Sequence, residues 1–122
     1  MLFQKFDSEK GVLHIKAKGN IDFWELLDIY KTIEAKKDLP DRLKILFETT
    51  FTKFDFKVER YKDISTILDG ISAKYDILKE AMIVDDPDDL DLVELFENKL
   101  FYENYSFKIF KTKEAAQKWL DF

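Results

Sequence analysis

LKILFETTFTKFDF, Leu43 to Phe56, begins with a short apolar run that has turn residues before it and a threonine-rich break after it. A run of this kind, Leu43–Glu48, is the pattern of a strand buried on both faces, as found where helices cover a parallel sheet. Just upstream, Lys36-Lys37-Asp38-Leu39-Pro40-Asp41 closes a helical pattern, proline preventing its continuation. That helix has a clear start. Asp22 is placed as N-cap with Glu25 three residues on, a capping-box pattern, and Ile21 and Leu26 stand at hydrophobic-staple positions. Phe23, Leu26, Leu27, Tyr30 and Ile33 then recur at helical spacing and form one apolar stripe. Nearer the N-terminus, Leu2–Phe6 and Val12–Lys18 read as two strands of a hairpin joined by Asp7-Ser8-Glu9-Lys10-Gly11. In the second strand Leu13, Ile15 and Ala17 share one face, and Val12, His14 and Lys16 the other. Gly19-Asn20 is expected to end it.

Downstream of the quoted stretch, Asp55 is placed to cap a second helix through Val58, Tyr61, Ile64, Leu68 and Ile71, with Gly70 near its end. Lys79–Val84 reads as another core strand. Asp86 and Pro87 then start a third helix, with Leu90, Val93, Phe96, Leu100 and Phe101 on its buried side. Ser106–Lys111 alternates as a last, less buried strand. Thr112 caps a final short helix whose Ala115, Ala116, Trp119 and Leu120 face inward. The order β-β-α-β-α-β-α-β-α predicts an α/β fold: a mixed five-stranded sheet with an N-terminal β-hairpin followed by βα repeats, and about four helices. Right-handed crossovers join its parallel strands, and one domain spans residues 1–122.

Composition narrows the function classes. The chain has 122 residues, 46% apolar and 37% charged, which suits a packed domain rather than a disordered segment. No apolar run approaches the roughly 20 residues of a membrane-spanning helix, so no integral membrane segment is expected. MLFQKFDSEK lacks the basic-then-apolar order of a signal peptide, which points to a cytoplasmic protein. The absence of cysteine excludes disulfides, thiolate metal sites and cysteine nucleophiles. With a net charge of -5 and only Arg42 and Arg60 as arginines, the chain lacks the cationic footprint of a nucleic-acid binder. Phenylalanine is abundant, and lysine far exceeds arginine. A/T-rich coding favours both, so position must carry any argument that phenylalanine count cannot.

Four strings together have a familiar look: the capped helix after Gly19-Asn20, LKILFE, KEAMIVDD at 79–86 and EAAQKWL at 114–120. Over nearly the whole chain their order resembles the STAS superfamily, in particular its SpoIIAA-like branch. That branch is related in fold to bacterial anti-sigma-factor antagonists and to lipid-binding Sec14-type domains. Regulatory members carry Asp-Ser-Ser-Gly after the central strand, where a partner kinase phosphorylates a serine. Aligning LKILFE sets Asp55 on that aspartate, Phe56 and Lys57 on the serines and Val58 on the glycine. The resemblance therefore implies the fold without the phosphorylation switch, which works by adding about two negative charges at a helix N-terminus.

No residue set for catalysis emerges. His14 is the only histidine and lies mid-strand, where no nucleophile or orienting acid is placed with it, so a structural or surface role is expected. The run Asp85-Asp86-Pro87-Asp88-Asp89-Leu90-Asp91 resembles a cation loop only in part. Asp86, Asp88 and Glu97 occupy its positions one, three and twelve, but Leu90 replaces the fifth ligand and Asp91 the glycine. Carboxylates complementing a helix dipole explain the run better. Nucleophile-elbow, phosphate-loop and dinucleotide motifs are absent. The expectation is a non-enzyme with no catalytic residues, no metal and no cofactor.

The candidate ligand- or partner-binding residues are Phe47, Thr49, Thr50, Phe51, Phe54 and Phe56, at the carboxyl end of the central strand, where α/β proteins usually bind. Phe47 is expected to point into the core, leaving Phe51, Phe54 and Phe56 on the connecting segment. These rings either plug the sheet end beneath the second helix or line an apolar pocket or contact patch, with Thr49, Thr50 and Thr52 as its polar groups. A second aromatic set, Phe101, Tyr102, Tyr105 and Phe107, flanks the end of the third helix. Trp24, beside Phe23 and off the helix stripe, fits a homodimer surface if exposed. The expected function is a non-enzymatic STAS-like binding or regulatory module acting by contact with a protein partner or by self-association. The alternative is binding of a small apolar ligand or lipid near the end of the central strand.

Overall fold

The structure, a computed structural model, describes residues 1–50, 52–55, 61–85 and 103–121. Strands β1 (Leu2–Asp7), β2 (Val12–Ala17), β4 (Arg42–Glu48), β6 (Ile77–Ile83) and β7 (Tyr105–Phe110) form one sheet in the order β1-β2-β4-β6-β7. Strands β3 (Gly19–Asp22) and β5 (Thr52–Asp55) form a separate two-stranded sheet. The described helices are α1 (Phe23–Ala35), α2 (Tyr61–Lys74) and α3 (Lys113–Leu120). β1 pairs antiparallel with β2, and every other pairing in the large sheet is parallel. The chain is thus α/β with a mixed five-stranded sheet, and Leu43–Glu48 lies in its middle strand. The helix expected over 86–101 lies outside the described residues.

From β2 to β4, β6 and β7 the chain always steps in the same direction across the sheet. Right-handed crossovers then place the connecting helices on one face. Alternate strand residues Leu13, Ile15, Leu43, Ile45, Phe47, Leu78 and Met82 do pack there against α1 and α2, which contributes Leu68 and Ile71. The expected α1 stripe is buried as read, with Ile29 added to it. The opposite face would stay bare if the chain did not return to it. α3 does so, setting Ala116 and Leu120 on Val12, Leu46, Ala81 and Ile83 as a second, smaller core. Ala115, expected inward, is exposed; the eight-residue helix buries only a narrow strip.

Two features depart from the expected layout. Gly19-Asn20 does not end the extended segment. Gly19, at φ +72, redirects the chain into β3, a left-handed conformation that favours glycine. β5 occupies residues where a loop and a helix cap were expected, and pairs with β3 from Gly19↔Thr52 to Asp22↔Asp55. Asp55 therefore closes a strand, and residues 56–60 lie outside the described residues.

Helix ends are satisfied across elements. Asp22 Oδ1 accepts from the Glu25 backbone N–H at 2.8 Å, and Thr112 Oγ1 from that of Ala115 at 3.3 Å, as the N-cap patterns require. At the end of α1, Tyr75 OH donates to Ile33 O at 3.1 Å, and Lys74 Nζ donates to the carbonyls of Glu34 and Lys36. A lysine ammonium there also complements the negative end of the helix dipole. Gly70 permits the approach, since a Cβ at that position would meet the Glu34 carboxylate at 3.0 Å.

Candidate functional site

The junction after β4 is built around two threonines. Thr49 donates from both its backbone N–H, at 3.0 Å, and its hydroxyl, at 2.5 Å, to the carbonyl of Ile83 at the end of β6. Thr52 donates its hydroxyl to the carbonyl of Ala17 at the end of β2, at 3.1 Å, with Thr50 O at 3.3 Å. The two hydroxyls tie the ends of three neighbouring strands together through backbone carbonyls. β-branched threonine also keeps the connecting segment extended, so that it can pair with β3.

The aromatic residues follow from this frame. Phe47 is fully buried in the core beneath α1 and α2. Phe54 stands in register with Ile21, and both are buried in the same core. Burial of one such ring stabilises the fold by about 1.5–3 kcal/mol. Of the six candidate residues, Phe47, Thr49 and Phe54 are packed inside and Thr50 is exposed. Phe51 and Phe56 lie outside the described residues. The described part of the junction is thus filled by its own side chains.

The most unusual polar cluster centres on Glu80, which the sequence reading did not single out, and joins to it Tyr30 of the α1 stripe and Tyr105 of the second aromatic set. Glu80, on β6, is fully buried on the face covered by α1. Tyr30 OH, from α1, donates to its Oε2 at 2.9 Å, and Tyr105 OH, from β7, to its Oε1 at 3.0 Å. Burial pushes the Glu80 carboxyl up to about 7, against the opposing pull of the two tyrosine hydroxyls. The signal was present: Leu78, Glu80 and Met82 alternate onto one face of a core strand. Asn104 was also missed. Its amide donates to the carbonyls of Ser72, at 2.6 Å, and Tyr75, at 2.8 Å, and its oxygen accepts from Ser72 Oγ at 2.8 Å, closing the end of α2.

His14 lies half-buried on the sheet face that carries α3, in register with Lys5 and Leu46. It lines an open groove of about 660 Å³ with Lys5, Asp7, Lys16, Glu48 and Lys113. Glu48 and Lys113 pair there at 3.1 Å. Among the described residues no three His, Asp or Glu side chains are gathered to hold a metal ion. Asp85 is exposed, and the rest of the acidic run lies outside the described residues.

Trp24 is 63% exposed on the first turn of α1. Its ring meets Phe23 edge-on at 5.2 Å between centroids. Beside it, Glu25 pairs with the Met1 ammonium at 3.0 Å. Met1 at 64% and Phe3 at 50% are the other strongly exposed apolar residues at this end of β1. Among the described residues, no helix is long and apolar enough to cross a membrane. No family model, curated protein or solved structure matches the chain.

Proposed function

We propose that the chain is a non-enzymatic, STAS-like binding or regulatory module that acts by protein–protein contact, self-association included, without a phosphorylatable serine. The observation that carries this reading is the exposure of Met1, Phe3 and Trp24, at 64%, 50% and 63%. They are three of the four exposed large apolar residues described. Exposed large apolar side chains suit a contact surface, and tryptophan is enriched at the energetic centres of interfaces. The alternative, a small apolar ligand or lipid at the end of the central strand, draws less support. Thr49 and Thr52 already donate to backbone carbonyls, and Phe47 and Phe54 are packed in the core.

Native mass spectrometry of the purified chain tests the reading. The expected spectrum contains a ligand-free oligomer whose share grows with concentration. A stoichiometric apolar molecule carried on the monomer would replace this reading with the alternative. A ligand-free monomer at every concentration would overturn self-association.

A further inference from the structure

β1 is the terminal strand of the five-stranded sheet. Met1 and Lys18 exchange backbone hydrogen bonds in both directions at 2.9 Å. In an antiparallel ladder this fixes the alternation of every residue that follows. Met1, Phe3, Lys5 and Asp7 turn their N–H and C=O groups toward β2, and Leu2, Gln4 and Phe6 turn theirs to the outer edge. Phe3, Gln4 and Lys5 are exposed, while Leu2 and Phe6 are half-buried. An ordered edge strand with outward-facing backbone groups and apolar side chains is a template for another strand.

We propose that the occupant of this edge is a second copy of the chain, with the two β1 strands antiparallel about a two-fold axis at Gln4. The proposal rests on the contact reading above and names its surface and partner. A two-fold axis perpendicular to the sheet keeps each face on its own side, so Leu2, Gln4 and Phe6 meet only one another. With the axis at Gln4, Leu2 stands opposite Phe6 of the second copy and Gln4 opposite its own counterpart. These are the residues whose backbone groups point outward, so each outward N–H and C=O finds a partner in the ladder. On the other face Phe3 stands opposite Lys5 of the second copy, an ammonium–ring pair that covers the exposed phenylalanine. Centring the axis on Lys5 would set like charges against each other. Lys5, the kind of charge that guards sheet edges, thereby disfavours one register instead of forbidding all of them. The product is a continuous ten-stranded sheet, counted as two copies of the five strands.

The chain contains no cysteine, which makes a cross-link test clean. Directly opposed residues of a hydrogen-bonded antiparallel pair have Cα atoms about 5.5 Å apart, within the roughly 4.4–6.8 Å range a disulfide spans. Gln4→Cys, oxidised in a mild thiol–disulfide buffer, is expected to give covalent dimer, whereas Ile77→Cys, at an exposed position on an interior strand, gives little. Gln4→Pro removes only an outward N–H, so the β1–β2 ladder persists while the dimer dissociation constant rises about tenfold or more in sedimentation equilibrium. Cross-linking of Gln4→Cys no faster than that of Ile77→Cys overturns the proposal. If the wild type then still associates, the contact reading stands and only the edge assignment falls. A wild type that is monomeric throughout overturns the edge assignment and self-association together.

Discussion

Replacing Glu80 by glutamine removes the one fully buried carboxyl described in the core while keeping its shape. The Glu80 carboxyl ionises near 4.5 in an unfolded chain and at about 7 in the fold, because burial penalises its charged form. Below pH 4.5 it is protonated in both states. Between 4.5 and about 7 the native state binds more protons than the unfolded state, so stability falls as pH rises and levels off above 7. At 1.36 kcal/mol for each pH unit, the gap amounts to about 3 kcal/mol lost between pH 4.5 and pH 8. Glu80→Gln has no such loss. Its amide oxygen accepts from one tyrosine, and the other hydroxyl turns to accept from the amide NH2, at an expected cost of about 1 kcal/mol. The variant should therefore be near or slightly below wild type at pH 5 and about 2 kcal/mol more stable at pH 8. Urea unfolding followed by tryptophan fluorescence at intervals from pH 5 to pH 8 measures this, and subtracting the two curves cancels the other carboxylates. A stability difference that stays constant across that range would refute the reasoning.

Other expectations follow from single contacts. Asn104→Ala leaves the carbonyls of Ser72 and Tyr75 without their amide donor and should destabilise the fold by about 2 kcal/mol in urea unfolding. Gly19→Ala places a side chain at φ +72 and should cost about 1 kcal/mol, although a Cβ there meets open space; an unchanged unfolding midpoint would count against the strained turn. Trp24→Ala, at an exposed site, should shift stability by less than about 1 kcal/mol yet weaken self-association in concentration-dependent light scattering. Equal association by variant and wild type would remove Trp24 from the contact surface.

Much of the fold was legible because its signals are local. The Leu43–Glu48 run became the middle strand, and the Asp22 and Thr112 caps became hydrogen-bonded N-caps, since a cap acts within one turn. The stripe from Phe23 to Ile33 became the buried face of α1, since helical period alone assigns a face. β3 and β5 escaped this reading. Each is only four residues long and exists because the other lies beside it, and strand pairing between residues 33 apart leaves no local trace. At the candidate site the threonines were recognised as polar groups, but their partners, the carbonyls of Ala17 and Ile83, become neighbours only when three strands align.

The sequence by itself determined the strands of the large sheet, the apolar stripe of α1 and the caps that start α1 and α3. Those properties depend on residue spacing over a few positions. Only the tertiary structure decided what the polar residues among them do. It turned the threonines of the junction into ties between strand ends, enclosed Glu80 between two tyrosines, and left β1 as an edge with the backbone groups of alternate residues turned outward. Each of these depends on which segments the sheet order brings side by side, and that order is fixed by the burial of the whole core, which no local stretch of sequence contains.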